Sequence, residues 1–275
     1  WVLSEKGDLQ WNSDFTMVFL GLREQGDELE EWPEDRLPLA DVNIWHWQDD
    51  RIQTAQIRRL SRDRNRTYTA VVHLAEGRMV PLADQEMQTV EVTRDGRWAM
   101  GRDATPFVSD WKPDVANFYR IDTRTGERRQ VLRAQERTYG FSPDGGHYLY
   151  WQGGHFFAYL PDRDLHVNLT SSTPVDFADA DFDRFGEKPP YGVVGWSADG
   201  TAVILNHRYD VWAQPLDGTA GTNLTQGRGH RDQIRFRYLR MDPEERAIDL
   251  DQPLLLSAFG EWTKKAGFFE LARGE

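Results

Sequence analysis

The chain has 275 residues, 39% of them apolar, with 11 Trp, 14 Phe and 9 Tyr, and a formal charge of −12 from 33 basic and 45 acidic residues. That aromatic content excludes a disordered chain, and the negative field disfavours a nucleic-acid partner. The absence of cysteine excludes a disulfide framework, a thiolate metal site and a cysteine nucleophile in one step. No apolar run reaches the length of a membrane span. The chain opens at Trp1 without a Met or a signal peptide, which reads as a processed or partial chain.

In chain order, the first strand material lies at 11–22 and 41–60, a poorly formed opening blade. Within it, Ile52, Ala55, Gln56, Arg59 and Leu60 have helical spacing, so 49–66 predicts a short helix. The basic run Arg58, Arg59, Arg62, Arg64 and Arg66 reads as a solvated face of that helix. A part-blade follows, with strands at 68–74 and 79–82 joined at Glu76-Gly77. Then a unit recurs three times: an apolar strand, a polar turn ending in Asp-Gly, and another strand. The turns are Asp95-Gly96, Asp144-Gly145 and Asp199-Gly200, spaced by 49 and 55 residues. Glycine accepts the positive φ of a tight hairpin turn, so each copy predicts a hairpin.

Each copy is followed by a second hairpin, through Thr125-Gly126, Asp162–Asp164 and Asp217-Gly218 respectively. Two hairpins make four antiparallel strands, and four-stranded units at roughly 40–50 residues are the period of a propeller. Radial stacking would bury both faces of a blade, which accounts for runs such as Ala202-Val-Ile-Leu205. An immunoglobulin-like sandwich would not repeat this hairpin at blade spacing. A parallel fold would need helical crossovers for which these turns are too short. The expected fold class is therefore all-β, an incomplete β-propeller. It has about five or six four-stranded antiparallel blades or part-blades, one short helix and an acidic loop insertion at 171–191. Complete blades are expected near 87–132, 138–170 and 193–225. Strands at 254–259 and 267–271 belong to one more, and residues 1–275 form one propeller domain.

Several stretches, taken together, resemble the propeller of large bacterial prolyl-oligopeptidase-like serine peptidases. They are the run 41–51 with Gln53 and Gln56, Glu187-Lys-Pro-Pro-Tyr-Gly192, Arg208-Tyr-Asp-Val-Trp212, Asn223-Leu-Thr225 and Ile234-Arg-Phe-Arg237. Pro253–Glu261 and Lys265–Phe268 continue the match. The resemblance implies a non-catalytic propeller that controls peptide access and positioning beside an α/β-hydrolase domain absent from this chain. It also implies a periplasmic or secreted protein. The alternative is a stand-alone periplasmic propeller that binds a protein partner as a scaffold.

The chemistry agrees with a non-catalytic chain. The strained Gly-x-Ser-x-Gly turn of a serine hydrolase does not occur, and the nearest stretch, Gly140-Phe-Ser142-Pro-Asp144, reads as a hairpin turn. The seven His are scattered over the predicted blades. Candidate substrate-binding residues are Arg235 and Arg237, which could hold a peptide carboxylate bidentately, with Tyr191 and Trp45. Arg235 and Arg237 could equally pair with Asp232 or Asp242, and Trp45 with His46 and Trp47 fits alternating burial in a strand. Asp176, Asp179, Asp181 and Asp183 are spaced to offer oxygens to calcium. A solvated acidic loop anchored by Phe177 and Phe182 is the competing reading, and a peptide's amino terminus is a further ligand for such carboxylates. Asn168-Leu-Thr170 and Asn223-Leu-Thr225 fit the glycosylation pattern, but their like positions at blade ends point to hydrogen bonds within turns.

Overall fold

A computed structural model describes residues 1–25, 42 and 44–272, so Asp41 and Asn43 of the family-like stretch lie outside the described residues. The chain forms two compact units, Trp1–Glu136 and Arg137–Glu275. Among the described residues no helix is long and apolar enough to cross a membrane.

The first unit holds two antiparallel sheets. One contains β1 (Val2–Leu3), β2 (Gln10–Trp11), β3 (Met17–Arg23), β4 (Tyr68–His73) and β5 (Arg78–Pro81), with β1 and β2 both pairing along β3. The other runs in order through β6 (Thr89–Val92), β7 (Trp98–Asp103), β8 (Ala116–Asp122) and β9 (Arg128–Gln135). Phe19, Val71 and Val80 of the first sheet pack with Ala99 and Ile121 of the second. The strand material at 11–22 and 68–82 thus forms one blade. The 41–60 stretch adds no strand among the described residues. It supplies α1 (Gln53–Arg64) instead, because its apolar residues repeat at helical and not alternate spacing.

The second unit holds three sheets. The third sheet is β10 (Arg137–Phe141), β11 (Tyr148–Gln152), β12 (His155–Leu160) and β13 (Leu165–Asn168). The fourth is β14 (Val193–Trp196), β15 (Ala202–Asn206), β16 (Val211–Pro215) and β17 (Thr222–Asn223). After a short helix, α2 (Arg228–Asp232), come β18 (Ile234–Tyr238), β19 (Leu254–Gly260) and β20 (Ala266–Leu271) of a three-stranded fifth sheet. On β15, Val203 and Leu205 face a core with Trp151, Phe156, Trp196 and Trp212, whereas Ala202 and Ile204 face one with Phe236, Leu254 and Leu256. One strand therefore buries both faces, as its unbroken apolar run requires. Each fully buried Val, Leu or Ile contributes about 1.5–3 kcal/mol. Meander sheets stacked face to face in chain order are the blades of a β-propeller.

The repeated turn has a common bonding scheme. Thr93, Ser142 and Ser197 each place a side-chain hydroxyl 2.5–2.6 Å from the Asp two residues on. The same oxygen accepts the backbone N–H five residues on, from Trp98, His147 and Ala202. Gly96, Gly145 and Gly200 supply the positive φ. The first sheet carries a disguised fourth copy. Asn12 donates to Asp14 at 2.7 Å and accepts from Met17 N–H at 2.9 Å, and Phe15 sits at φ 57° where the others have glycine.

Candidate functional site

Strand alternation assembles one wall of a cavity in the second unit. Phe236 on β18 is buried against Phe269 with ring centroids 5.2 Å apart, so Arg235 and Arg237 both lie on the opposite face. Arg235 pairs with Phe259 of β19 and holds its guanidinium 5.5 Å from that ring. Arg237 donates to the carbonyls of Phe236 at 2.6 Å and Arg208 at 3.3 Å. A guanidinium carries five N–H donors, so both arginines keep donors in reserve. Among the described residues no carboxylate lies within 4.0 Å of either.

The acidic partners suggested by sequence are committed elsewhere. Asp232 takes Arg231 at 3.2 Å and Arg228 at 3.5 Å, and Asp242 closes its own turn by accepting Glu244 N–H. Burial, reinforced by the repulsion of Arg235, pushes Arg237 down to about 10, which leaves it charged at neutral pH.

The opposite wall is the 171–191 insertion. Phe177 is 1% exposed in the core between the third and fourth sheets, which pins the loop, while Phe182 is half-buried. Trp151 Nε1 donates to Lys188 O at 2.9 Å and Tyr191 N–H to Phe177 O at 3.0 Å, holding the loop's return limb. Tyr191 accepts Ala180 N–H on its hydroxyl at 3.0 Å. Burial raises its pKa, so it stays a neutral phenol.

The four aspartates do not act together. Asp176 accepts Ala178 N–H, Asp179 accepts Asp181 N–H at 3.0 Å, Asp181 pairs with Arg208 at 3.2 Å, and Asp183 is exposed. Among the described residues no group of three or more His, Asp or Glu is placed to hold a metal ion. Asp176 and Asp179 each close a turn, and Asp181 alone makes an ion pair.

Between these walls lies a cavity of about 370 Å³, lined by Arg235, Arg237, Tyr191, Asp179 and Asp181 among others. Arg208, Tyr209, Glu261 and Lys264 complete it. Sequence reasoning placed Arg208, Tyr209 and Glu261 in family-like stretches without naming them as site residues, and did not mark Lys264. Arg208 and Tyr209 stand in the β15–β16 turn and Glu261 and Lys264 in the β19–β20 turn, so hairpin-end position was the signal available. Arg208 is neutralised by Asp181 and, at 3.8 Å, by Glu261.

Three of the four candidate substrate residues thus meet. Trp45 belongs to the first unit, where it is 58% exposed on a stretch without strand. His46 and Trp47 are likewise exposed, so the alternating-burial reading of that stretch fails for want of a strand. Ser142 is locked in its turn by Asp144 and His147 N–H, as expected of a hairpin residue. Asn168 and Asn223 accept the N–H of Thr170 and Thr225, closing equivalent turns.

The first unit has a groove of about 960 Å³ beside α1, with five acidic and five arginine side chains along it. Arg59 and Arg66 both pair with Asp63, and Arg102 with Asp114.

No family model matches the sequence, and no curated protein matches it. Solved structures similar in shape include an acylaminoacyl peptidase of Pyrococcus horikoshii, at 10% identity and TM-score 0.43, over 99% of this chain and 38% of that one. The β-propeller domain of the trilobed protease of Pyrococcus furiosus has 9% identity and TM-score 0.42, over 98% and 70%. A TolB-type protein of Agrobacterium tumefaciens has 13% identity and TM-score 0.37, over 96% and 80%. The chain therefore spans well under half the length of the acylaminoacyl peptidase it is similar to. Likeness at this level decides nothing about the site, and the propeller architecture rests on this chain's own strand pairing.

Proposed function

We propose that this chain is the non-catalytic propeller of a prolyl-oligopeptidase-like serine peptidase. Its second unit captures the anionic end of a peptide and so governs access and position. The observation that carries the reading is the arginine pair. Arg235 and Arg237 share one strand face, line a cavity of peptide-fragment size and lack an acidic partner among the described residues. Uncompensated charge on the half-buried Arg237 is costly, and a carboxylate accepting from it and from the exposed Arg235 offsets that cost. The sequence resemblance at 187–192, 208–212 and 234–237 supports the same assignment, since each of these stretches contributes residues that line the cavity. So does the lack of a nucleophile elbow.

The proposal takes 1–275 as propeller sequence throughout. It places the intact protein, with its hydrolase domain, in the periplasm or outside the cell. One observation favours the alternative of a scaffold for a protein partner: Phe268 on the edge strand β20 and Trp262 in the turn before it are 74% and 81% exposed.

Isothermal titration with matched free-acid and amidated peptides separates the two. Loss of a charge-assisted hydrogen bond costs about 1.5–3 kcal/mol, so the amide should bind about 10- to 100-fold more weakly. Arg237→Met should abolish the difference. Equal binding of acid and amide would exclude carboxylate capture and leave the scaffold reading.

A further inference from the structure

The cavity that offers Arg235 and Arg237 also offers one uncompensated negative charge, on Asp179. Its carboxylate accepts Asp181 N–H at 3.0 Å, and its own N–H donates to Pro189 O at 2.7 Å, so backbone and side chain are both held. No cation lies within 4.0 Å of it among the described residues. Arg208, which lines the same cavity, is occupied by Asp181 at 3.2 Å and Glu261 at 3.8 Å. The loop bearing Asp179 is fixed independently by buried Phe177 and by the Trp151–Lys188 hydrogen bond.

Opposite charges that line one cavity without meeting each other are a template for a dipolar ligand. We propose that this cavity is a zwitterion site for short unblocked peptides, with the carboxylate on Arg235 and Arg237 and the α-ammonium on Asp179. This deepens the carboxylate-capture reading and rests on it. A ligand bearing only the carboxylate would leave Asp179 desolvated and unpaired, which disfavours it. The size agrees. A cavity of 370 Å³ is about 9 Å across if taken as a sphere, and an extended chain advances at most about 3.6 Å per residue, so two or three residues fit.

The test is titration of the full chain with four forms of one tripeptide of small residues: unblocked, N-acetylated, C-amidated and doubly blocked. The unblocked form should bind at least about tenfold more tightly than either singly blocked form, since each block removes one charge-assisted contact. Its affinity should also fall as pH rises through the α-amine value, about 7.7–8.0, while the acetylated form shows no such fall. Asp179→Asn should erase the penalty for acetylation and leave the penalty for amidation.

Equal binding of acetylated and unblocked peptide, with the amide still weak, would overturn the zwitterion site alone and leave carboxylate capture standing. Absence of any acid-over-amide preference, or of binding by all four, would overturn both. Because the wild-type series and its pH dependence decide the matter, the result stands even if the Asp179 variant misfolds.

Discussion

Gln214 shows how the third and fourth blades are joined, and replacing it tests that account. It lies on β16 and is 0% exposed. Its Nε2 donates to Leu169 O at 2.5 Å and Thr219 O at 2.8 Å, and its Oε1 accepts the Thr173 hydroxyl at 2.6 Å. Thr173 in turn accepts Gly221 N–H at 2.8 Å. One amide therefore ties the β16–β17 turn to the segment leaving β13. Gln214→Leu keeps the volume and strands two carbonyls and a hydroxyl. Each stranded buried group costs about 1–3 kcal/mol, and the added apolar burial returns about 1.5–3 kcal/mol. A net loss of about 3 kcal/mol follows.

In urea, with a slope of about 2 kcal/mol/M, the midpoint followed by near-ultraviolet circular dichroism should fall by about 1.5 M. Thr173→Val removes the hydroxyl that bonds Gln214, so the two changes should couple by at least about 0.5 kcal/mol in a double-mutant cycle. A loss below about 0.5 kcal/mol for Gln214→Leu would show that water or the neighbouring turn satisfies these groups, and the staple would not be one.

Two further outcomes are expected. Phe15 holds φ 57° at 69% exposure, a conformation that costs a non-glycine residue roughly 1–2 kcal/mol. Phe15→Gly should therefore raise the urea midpoint despite the added freedom of the unfolded chain, and a lowered midpoint would mean its contact with Trp11 matters more. The repeat turns also make the fold acid-sensitive. The Ser197 hydroxyl, followed by Thr201 N–H, holds Asp199 below its ordinary value. At Asp144 burial pushes upward most strongly, but the hydrogen bonds from Ser142 and Gly146 outweigh it. Stability from such depressed carboxylates is complete above the ordinary aspartate value of about 3.9 and is lost as pH falls through the lower folded values. Midpoints should accordingly be level near neutrality and decline below about pH 4, and Asp199→Asn should flatten part of that decline. An unchanged acid limb in the variant would count against the turn as its source.

Blade order was legible because it is written in local chemistry. The hydroxyl-x-Asp-Gly turn at 93–96, 142–145 and 197–200 needs only residues within five positions of one another, and its spacing carries the meander with it. The copy at 12–15 escaped notice because Asn12 replaces the hydroxyl and Phe15 the glycine, while the hydrogen bonds are the same. The helix at Gln53–Arg64 was likewise readable from periodicity, and the exposure of Trp45 was not. Whether an aromatic triplet packs depends on a neighbouring strand, and no pattern within the triplet records one.

The site divides the same way. Composition and alternation by themselves determined that Arg235 and Arg237 share a face, that the 171–191 loop is acidic, and that the Gly-x-Ser-x-Gly pattern does not occur. Tertiary structure alone decided that this loop returns to those arginines, that Arg208 and Glu261 join them, and that Asp232 and Asp242 do not. A strand's own residues set which face each side chain takes, at a period of two. Which charges remain unpaired is set by groups far apart in the chain, brought together by blade packing.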